Sequence, residues 1–293
     1  MRFLIVTAAN ENFARLLRDL VGSLFQWGPP AQAELGILDL GLSPDSLTWL
    51  SGFSDRIVVP DWDLPVRPAL AREQPWLRAM TARPFLPRYF PGYDTYLWLD
   101  SDTWVQRWFA IEWLVQAAQS GKLAIIPEVD RCYRHDPMFV QWRIDRLRSY
   151  FGPLPAGTLL SEPYFNSGVF ALKGNAPHWK LWAEWFQKGL QACEGGVASD
   201  QTALNYMLWK EDLPVYPLPS RCNWTCHLAL PEYRTSTGLF HEPCLPGDPI
   251  GIMHLTSVLK NKLMQTTDSR GQPITVGLGY SSARPVDSLE PGS

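Results

Sequence analysis

A membrane-spanning helix needs roughly 20 consecutive apolar residues, and the sequence has no such run, so no transmembrane helix is expected. The opening segment MRFLIVTAANENF has one Arg and a short apolar run. That run breaks at Asn10-Glu11, too early for a secretory leader. It is better suited to a first core strand, and the expectation is a cytoplasmic protein with at most peripheral membrane association. No basic stripe is present. With a net charge of -3 and a pI near 6.0, the chain lacks the footprint of a nucleic-acid binder. Cysteine is scarce and odd in number, five in 293 residues, which argues against a disulfide framework. Cys222, Cys226 and His227 lie close together, but no second Cys pair completes a structural zinc set, so they are expected to be structural thiols. Asn223-Trp224-Thr225 fits the N-glycosylation pattern and, without a leader, counts as a chance match.

What is present is a globular composition, 46% hydrophobic and 19% charged. The 14 Trp offer stacking surfaces for sugar rings or, for most of them, core packing. Short apolar runs at 3–8, 35–40, 56–59, 95–99, 123–126, 169–172 and 250–255 suit strands. Between them lie helix-period segments at 12–27, 45–51, 111–120, 138–151, 179–192 and 201–209. Ser43-Pro44 has the form of an N-cap followed by Pro at the first helical position. This alternation predicts an α/β fold with a mostly parallel, Rossmann-like central sheet and helices on both faces. Ligands of such sheets bind beyond the carboxyl ends of the strands. A single domain over 1–265 is expected, followed by a loosely ordered tail at 266–293. Of two Pro-rich stretches, 60–91 is expected to wrap the sheet edge and 214–249 to form a surface excursion.

The apolar run YLWL ends on Asp100-Ser101-Asp102. In extended chain, residues i and i+2 face the same side. Two like charges there repel unless a cation sits between them, and Mg²⁺ or Mn²⁺ bridges carboxylates to phosphates. Alone, D-x-D is equally a solvated turn. His254 ends a later apolar run and could add a nitrogen ligand, or be a satisfied strand-end histidine. Asn166-Ser167-Gly168 suits close backbone approach and hydroxyl recognition, or a turn before a buried strand. Asp200 at a helix start is favoured by the helix dipole without any further role.

Together these segments resemble glycosyltransferase family 8, of the GT-A glycosyltransferases. The similar pieces are YDTYLWLDSDTWVQ, ARPFLPRYFPGYD upstream, YFNSGVFAL, SDQTALNYML and HLTSVLK, in the family's order across about 1–262. The resemblance implies a retaining transfer of a hexose from a UDP-sugar, with Mn²⁺ or possibly Mg²⁺. The acceptor would be the hydroxyl of a glycan, a lipid-linked sugar or a small molecule. By position it places Asp100, Asp102 and His254 on the metal. Thr7, Ala8 and Asn10 would lie at the base and ribose, and Arg83, Asp100, Ser101, Asn166, Ser167 and Lys260 elsewhere on the donor. Asp200 would bind sugar hydroxyls, with Gln201 near the anomeric carbon. The last motif departs from the family: its usual Gly is Ser257, and its usual Pro-Trp is Asn261-Lys262. That departure keeps open a non-catalytic nucleotide- or glycan-binding member of the fold. A sugar nucleotidyltransferase would call for a Gly-rich, basic loop after the first strand, and TAANENF has neither feature.

Overall fold

The computed structural model describes residues 2–153, 161–267 and 272–283. Its strands are β1 (Phe3–Ala9), β2 (Ala33–Asp39), β3 (Ile57–Val58), β4 (Thr95–Leu99), β5 (Thr103–Val105), β6 (Leu123–Pro127) and β7 (Phe165–Lys173). They continue with β8 (Val215–Pro217), β9 (Trp224–Thr225), β10 (Glu232–Arg234), β11 (Leu239–His241), β12 (Ile252–His254), β13 (Leu263–Thr267) and β14 (Pro273–Gly277). The central sheet has seven strands in the order β3-β2-β1-β4-β7-β6-β8. All neighbours are parallel except at β7, which runs antiparallel to β4 and β6.

β1 and β4 are buried at every position, as an apolar run must be when both sheet faces are covered. Side-chain alternation sends Ile5, Ile37, Leu97 and Leu99 to one face, under the helices Ala14–Phe25, Pro44–Leu50 and Phe109–Ala118. Leu4, Val6, Tyr96 and Trp98 point the other way, under Arg78–Ala82, His178–Ala192 and Asp200–Lys210. Trp98, Trp182, Tyr96 and Phe170 are fully buried on that side. Burying side chains of this size contributes about 1.5–3 kcal/mol each. The helix starts follow their sequence signals. Ser43 accepts from Ser46 N–H at 3.2 Å, and Ser199 accepts from Thr202 N–H at 3.4 Å.

A second sheet, β5-β12-β9, crosses the carboxyl end of the first. Its register pairs His254 with Thr103 and Thr225, which brings a strand end from late in the chain beside Asp102. This sheet corrects one expectation: 214–249 is not a surface excursion. It supplies β8 to β11 and the buried Asn223, Trp224, Cys226 and Phe240. Nor does 60–91 wrap an edge. Its Ala79, Ala82, Leu86 and Phe90 pack into a sheet-face core. The expected loose tail is also overturned over 272–283. β14 pairs with β13, and Ile274, Val276 and Leu278 are buried against Trp104 and Met253. Residues 284–293 lie outside the described residues. No described helix is long and apolar enough to cross a membrane.

Candidate functional site

The connectivity reverses between β1 and β4: β1 leads outward to β2 and β3, and β4 then lies on its other side. Ligands of open α/β sheets bind beyond the strand ends at such a switch point. Here that is where Ala8, Ala9 and Asn10 leave β1 and Asp100 to Asp102 leave β4. These residues line one cleft together with Phe13, Trp76 and Arg83.

Asp100 is fixed first. Its N–H donates to Gly168 O at 2.8 Å, continuing the β4–β7 ladder. Its Oδ1 accepts from Trp98 Nε1 at 2.8 Å and from Arg83, which leaves Oδ2 facing His254 Nε2 at 3.9 Å. Asp102 Oδ1 lies 3.3 Å from the same His254 nitrogen, and its Oδ2 accepts from Lys260 Nζ at 3.0 Å. Burial pushes the Asp100 carboxyl above its usual range; Arg83 pulls it down without cancelling the shift. Burial also pushes Asp102 up, but His254 and Lys260 outweigh it and hold this carboxyl at about 2.

One ligand atom each from Asp100, Asp102 and His254 lies within 4.8 Å of the others; no other such trio of His, Cys, Asp or Glu occurs among the described residues. Gly168 forms the floor. A Cβ there would lie 2.5 Å from His254 Cε1 and 2.6 Å from Asp100 Oδ2. Gly168→Ala is therefore expected to splay the trio. The affinity of the trio for a divalent cation should fall about 10- to 100-fold, as when supporting contacts of metal ligands are lost. Calorimetric titration checks this, with the circular dichroism spectrum unchanged.

Arg83, 6% exposed, is the hub between the strand ends. It donates through Nη1 to Asp200 at 2.6 Å and Ser167 Oγ at 3.1 Å, and its guanidinium lies 4.5 Å from the Trp98 ring centre. Asp200, only 2% exposed, is thus placed against Arg83. Gln201 Oε1 accepts from Ser167 N–H at 3.1 Å, and its Nε2 donates to Glu128 at 3.3 Å. Asn166 sits one layer deeper, donating to Glu128 at 2.7 Å. Thr7 is fully buried on β1, and neither its Oγ1 nor Asn10 Oδ1 has a hydrogen-bond partner among the described residues. Ser101 lines the cleft. Lys260 rests on Asp102 and over the Phe13 ring, 4.2 Å from its centre.

Three residues of this network have no counterpart in the sequence reading. Glu128 closes β6 as Asp100 closes β4, and is ion-paired with Arg143. Asn223, noted only for its glycosylation triplet, has no exposed surface and lies 3.0 Å from His254 Nδ1. The strand-end position of Glu128 was a usable signal; Asn223 and Arg143 carried none. Cys222 and Cys226 are buried in different cores, as structural thiols would be.

No family model matches the sequence, and no curated protein matches it. Solved structures do. The galactosyltransferase LgtC, in complex with donor and acceptor sugar analogs, superposes with a TM-score of 0.54 at 20% identity over 87% of this chain and 88% of its own. An active-site mutant of LgtC gives 0.52 at 19% identity, over 87% of each chain. The bifunctional glycosyltransferase WbbM gives 0.51 at 14% identity, over 76% of this chain and 39% of its own. The likeness establishes the architecture: the chain has the GT-A fold, built as LgtC is built.

Proposed function

We propose that the chain is a metal-dependent, retaining glycosyltransferase that moves a hexose from a UDP-sugar to an acceptor hydroxyl. The observation that carries this reading is the convergence of Asp100, Asp102 and His254 at the switch point of a GT-A sheet. Two carboxylates and an imidazole around the space left by Gly168 fit a divalent cation, and the mixed oxygen and nitrogen set suits Mn²⁺ better than Mg²⁺. When bound, the cation would neutralise the charge that builds on a departing diphosphate.

The remaining roles follow from what each group has free. Asn10 Oδ1, lacking a partner among the described residues, can accept an N–H from a uracil edge. Phe13 and Trp76 give that end of the cleft flat walls. Lys260 supplies a mobile positive charge beside Asp102, within reach of a diphosphate held there. Arg83 has both terminal nitrogens committed, so it orients Asp100 and Asp200. The carboxylates near the sugar end are also engaged, Asp200 by Arg83 and Glu128 by Arg143, Asn166 and Gln201. That favours a front-face route, with the leaving diphosphate taking the acceptor proton, over attack by a protein carboxylate.

Melting curves with UDP, GDP and ADP, with and without Mn²⁺, test the reading. Near-saturating ligand stabilises a fold by about 2.7 kcal/mol, or about 5–10 °C for a domain of this size. Such a shift is expected for UDP, and only with Mn²⁺. No shift with any nucleotide would overturn the assignment. Tight UDP binding with no sugar release from any UDP-sugar would leave a nucleotide-binding protein on this fold.

A further inference from the structure

Metal binding by a histidine requires a lone pair on the nitrogen that faces the metal, and the proton's place is set by the partner of the other nitrogen. His254 turns Nε2 toward Asp100 and Asp102 and Nδ1 toward Asn223. An amide can present either an oxygen or a nitrogen, so Asn223 alone does not decide which ring nitrogen carries the proton. The decision lies farther away.

Glu128 is 3% exposed, and its Oε2 accepts from Arg143. A carboxylate so paired can only accept, so Asn166 must turn its Nδ2 to Glu128 Oε1, at 2.7 Å. The other end of Asn166 is fixed independently: Gly168 N–H can only donate, and it meets Asn166 Oδ1 at 2.9 Å. Since that oxygen also faces Asn223 at 3.1 Å, Asn223 must present Nδ2 there. Its Oδ1 is then left for His254 Nδ1 at 3.0 Å, and an oxygen can only accept. Hence Nδ1 carries a hydrogen, and Nε2 is the ring nitrogen that can offer its lone pair to a metal. Asn166, Asn223 and His254 are 7%, 0% and 3% exposed, so water cannot readily substitute at any link.

We propose that Glu128, Asn166 and Asn223 form a directional hydrogen-bond relay that keeps a hydrogen on His254 Nδ1, so that Nε2 is the ring nitrogen left for the metal position. These are positioning residues. Gln201 shares the anchor, since its Nε2 also donates to Glu128. One buried carboxylate thereby orients both the metal-facing imidazole and the amide at the sugar end.

The inference rests on the proposed metal site, but its first test does not need the metal. A long-range ¹H–¹⁵N spectrum of the ¹⁵N-histidine-labelled, metal-free protein shows which ring nitrogens carry a hydrogen. The His254 signal is assigned by its loss in His254→Gln. The expected result is a hydrogen on Nδ1; a ring with its hydrogen on Nε2 and none on Nδ1 overturns the relay. Asn223→Ala should shift His254 toward Nε2–H and weaken Mn²⁺ binding about 10- to 100-fold, the range for lost support of a ligating histidine. Asn223→Asp keeps an oxygen opposite Nδ1. It should retain the Nδ1–H signal and bind Mn²⁺ more tightly than the alanine variant. An unchanged tautomer in Asn223→Ala also overturns the relay. If Asn223→Ala does not fold, the wild-type spectrum decides alone. Failure of the wild-type protein to bind Mn²⁺ would instead strike the metal reading and leave the ring spectrum to judge the relay.

Discussion

Replacing Asp102 with alanine is expected to abolish Mn²⁺-dependent release of sugar from the donor, a loss of about a thousand-fold. Asp102 faces His254 with one oxygen and Lys260 with the other. Those groups overcome the upward push of burial and hold the carboxyl at about 2, so it is charged throughout the working pH range and no proton competes for it. Removing it takes away a ligand and leaves the Lys260 ammonium without its partner beside the metal position, which disfavours a cation there. On the proposed function, the several kcal/mol of charge stabilisation that a metal would supply at a departing diphosphate is lost with it, and each 1.36 kcal/mol is a factor of ten in rate. Donor hydrolysis at saturating Mn²⁺ measures the effect. Asp102→Asn, which keeps the shape and loses the charge, separates electrostatics from packing. Turnover unchanged in both variants would remove Asp102 from the metal set.

Much of this arrangement was legible in the sequence, and the reason is physical. Strands buried on both faces are continuous apolar runs, and helices packed on them carry a 3.6-residue stripe, so FLIVTAA, TYLWL and the segment 12–27 announce themselves locally. The rule that ligands lie beyond strand ends then marks Asp100, Asp102 and His254. It would have marked Glu128 too, which ends the run LAIIP. What stayed hidden depends on register between distant segments. Asn223 faces His254 because β9 pairs with β12, and no local pattern encodes a pairing between two-residue and three-residue strands. Likewise, the ladder between β6 and β7 slips between Ile125 and Ile126, which sets Asn166 opposite Ile126, near Glu128. β14 falls in the stretch expected as loose tail, because its burial comes from Trp104 and its neighbours, far back in the chain.

Arg83→Met is expected to cost about 3–5 kcal/mol of stability, the range for removing one partner of a buried ion pair, and to lower the melting temperature by about 10 °C. Methionine fills much of the volume and can still lie on the Trp98 ring, so the loss isolates the charge. Without the guanidinium, Asp100 and Asp200 face each other's region with no cation between them, one of them 2% exposed. Asp100 already sits above its usual range because burial outweighs the pull of Arg83, and losing that pull drives it higher. The sign of the pH dependence follows. A carboxyl whose folded pKa exceeds its unfolded value makes the folded state bind more protons than the unfolded chain, so its contribution to stability falls as pH rises from the ordinary carboxylate range through the folded value. The deficit of Arg83→Met relative to wild type should therefore be largest near neutral pH and shrink toward about pH 5, where the stranded Asp100 carboxyl takes up a proton. Lysine at this position would restore one charge but not the fork that bonds Asp100, Asp200 and Ser167 together, so it should recover only part of the loss. Melting temperatures at the two pH values decide the matter. A deficit that does not change with pH would mean that Arg83 serves this fold by packing, and that the carboxylates around it are held apart by something other than its charge.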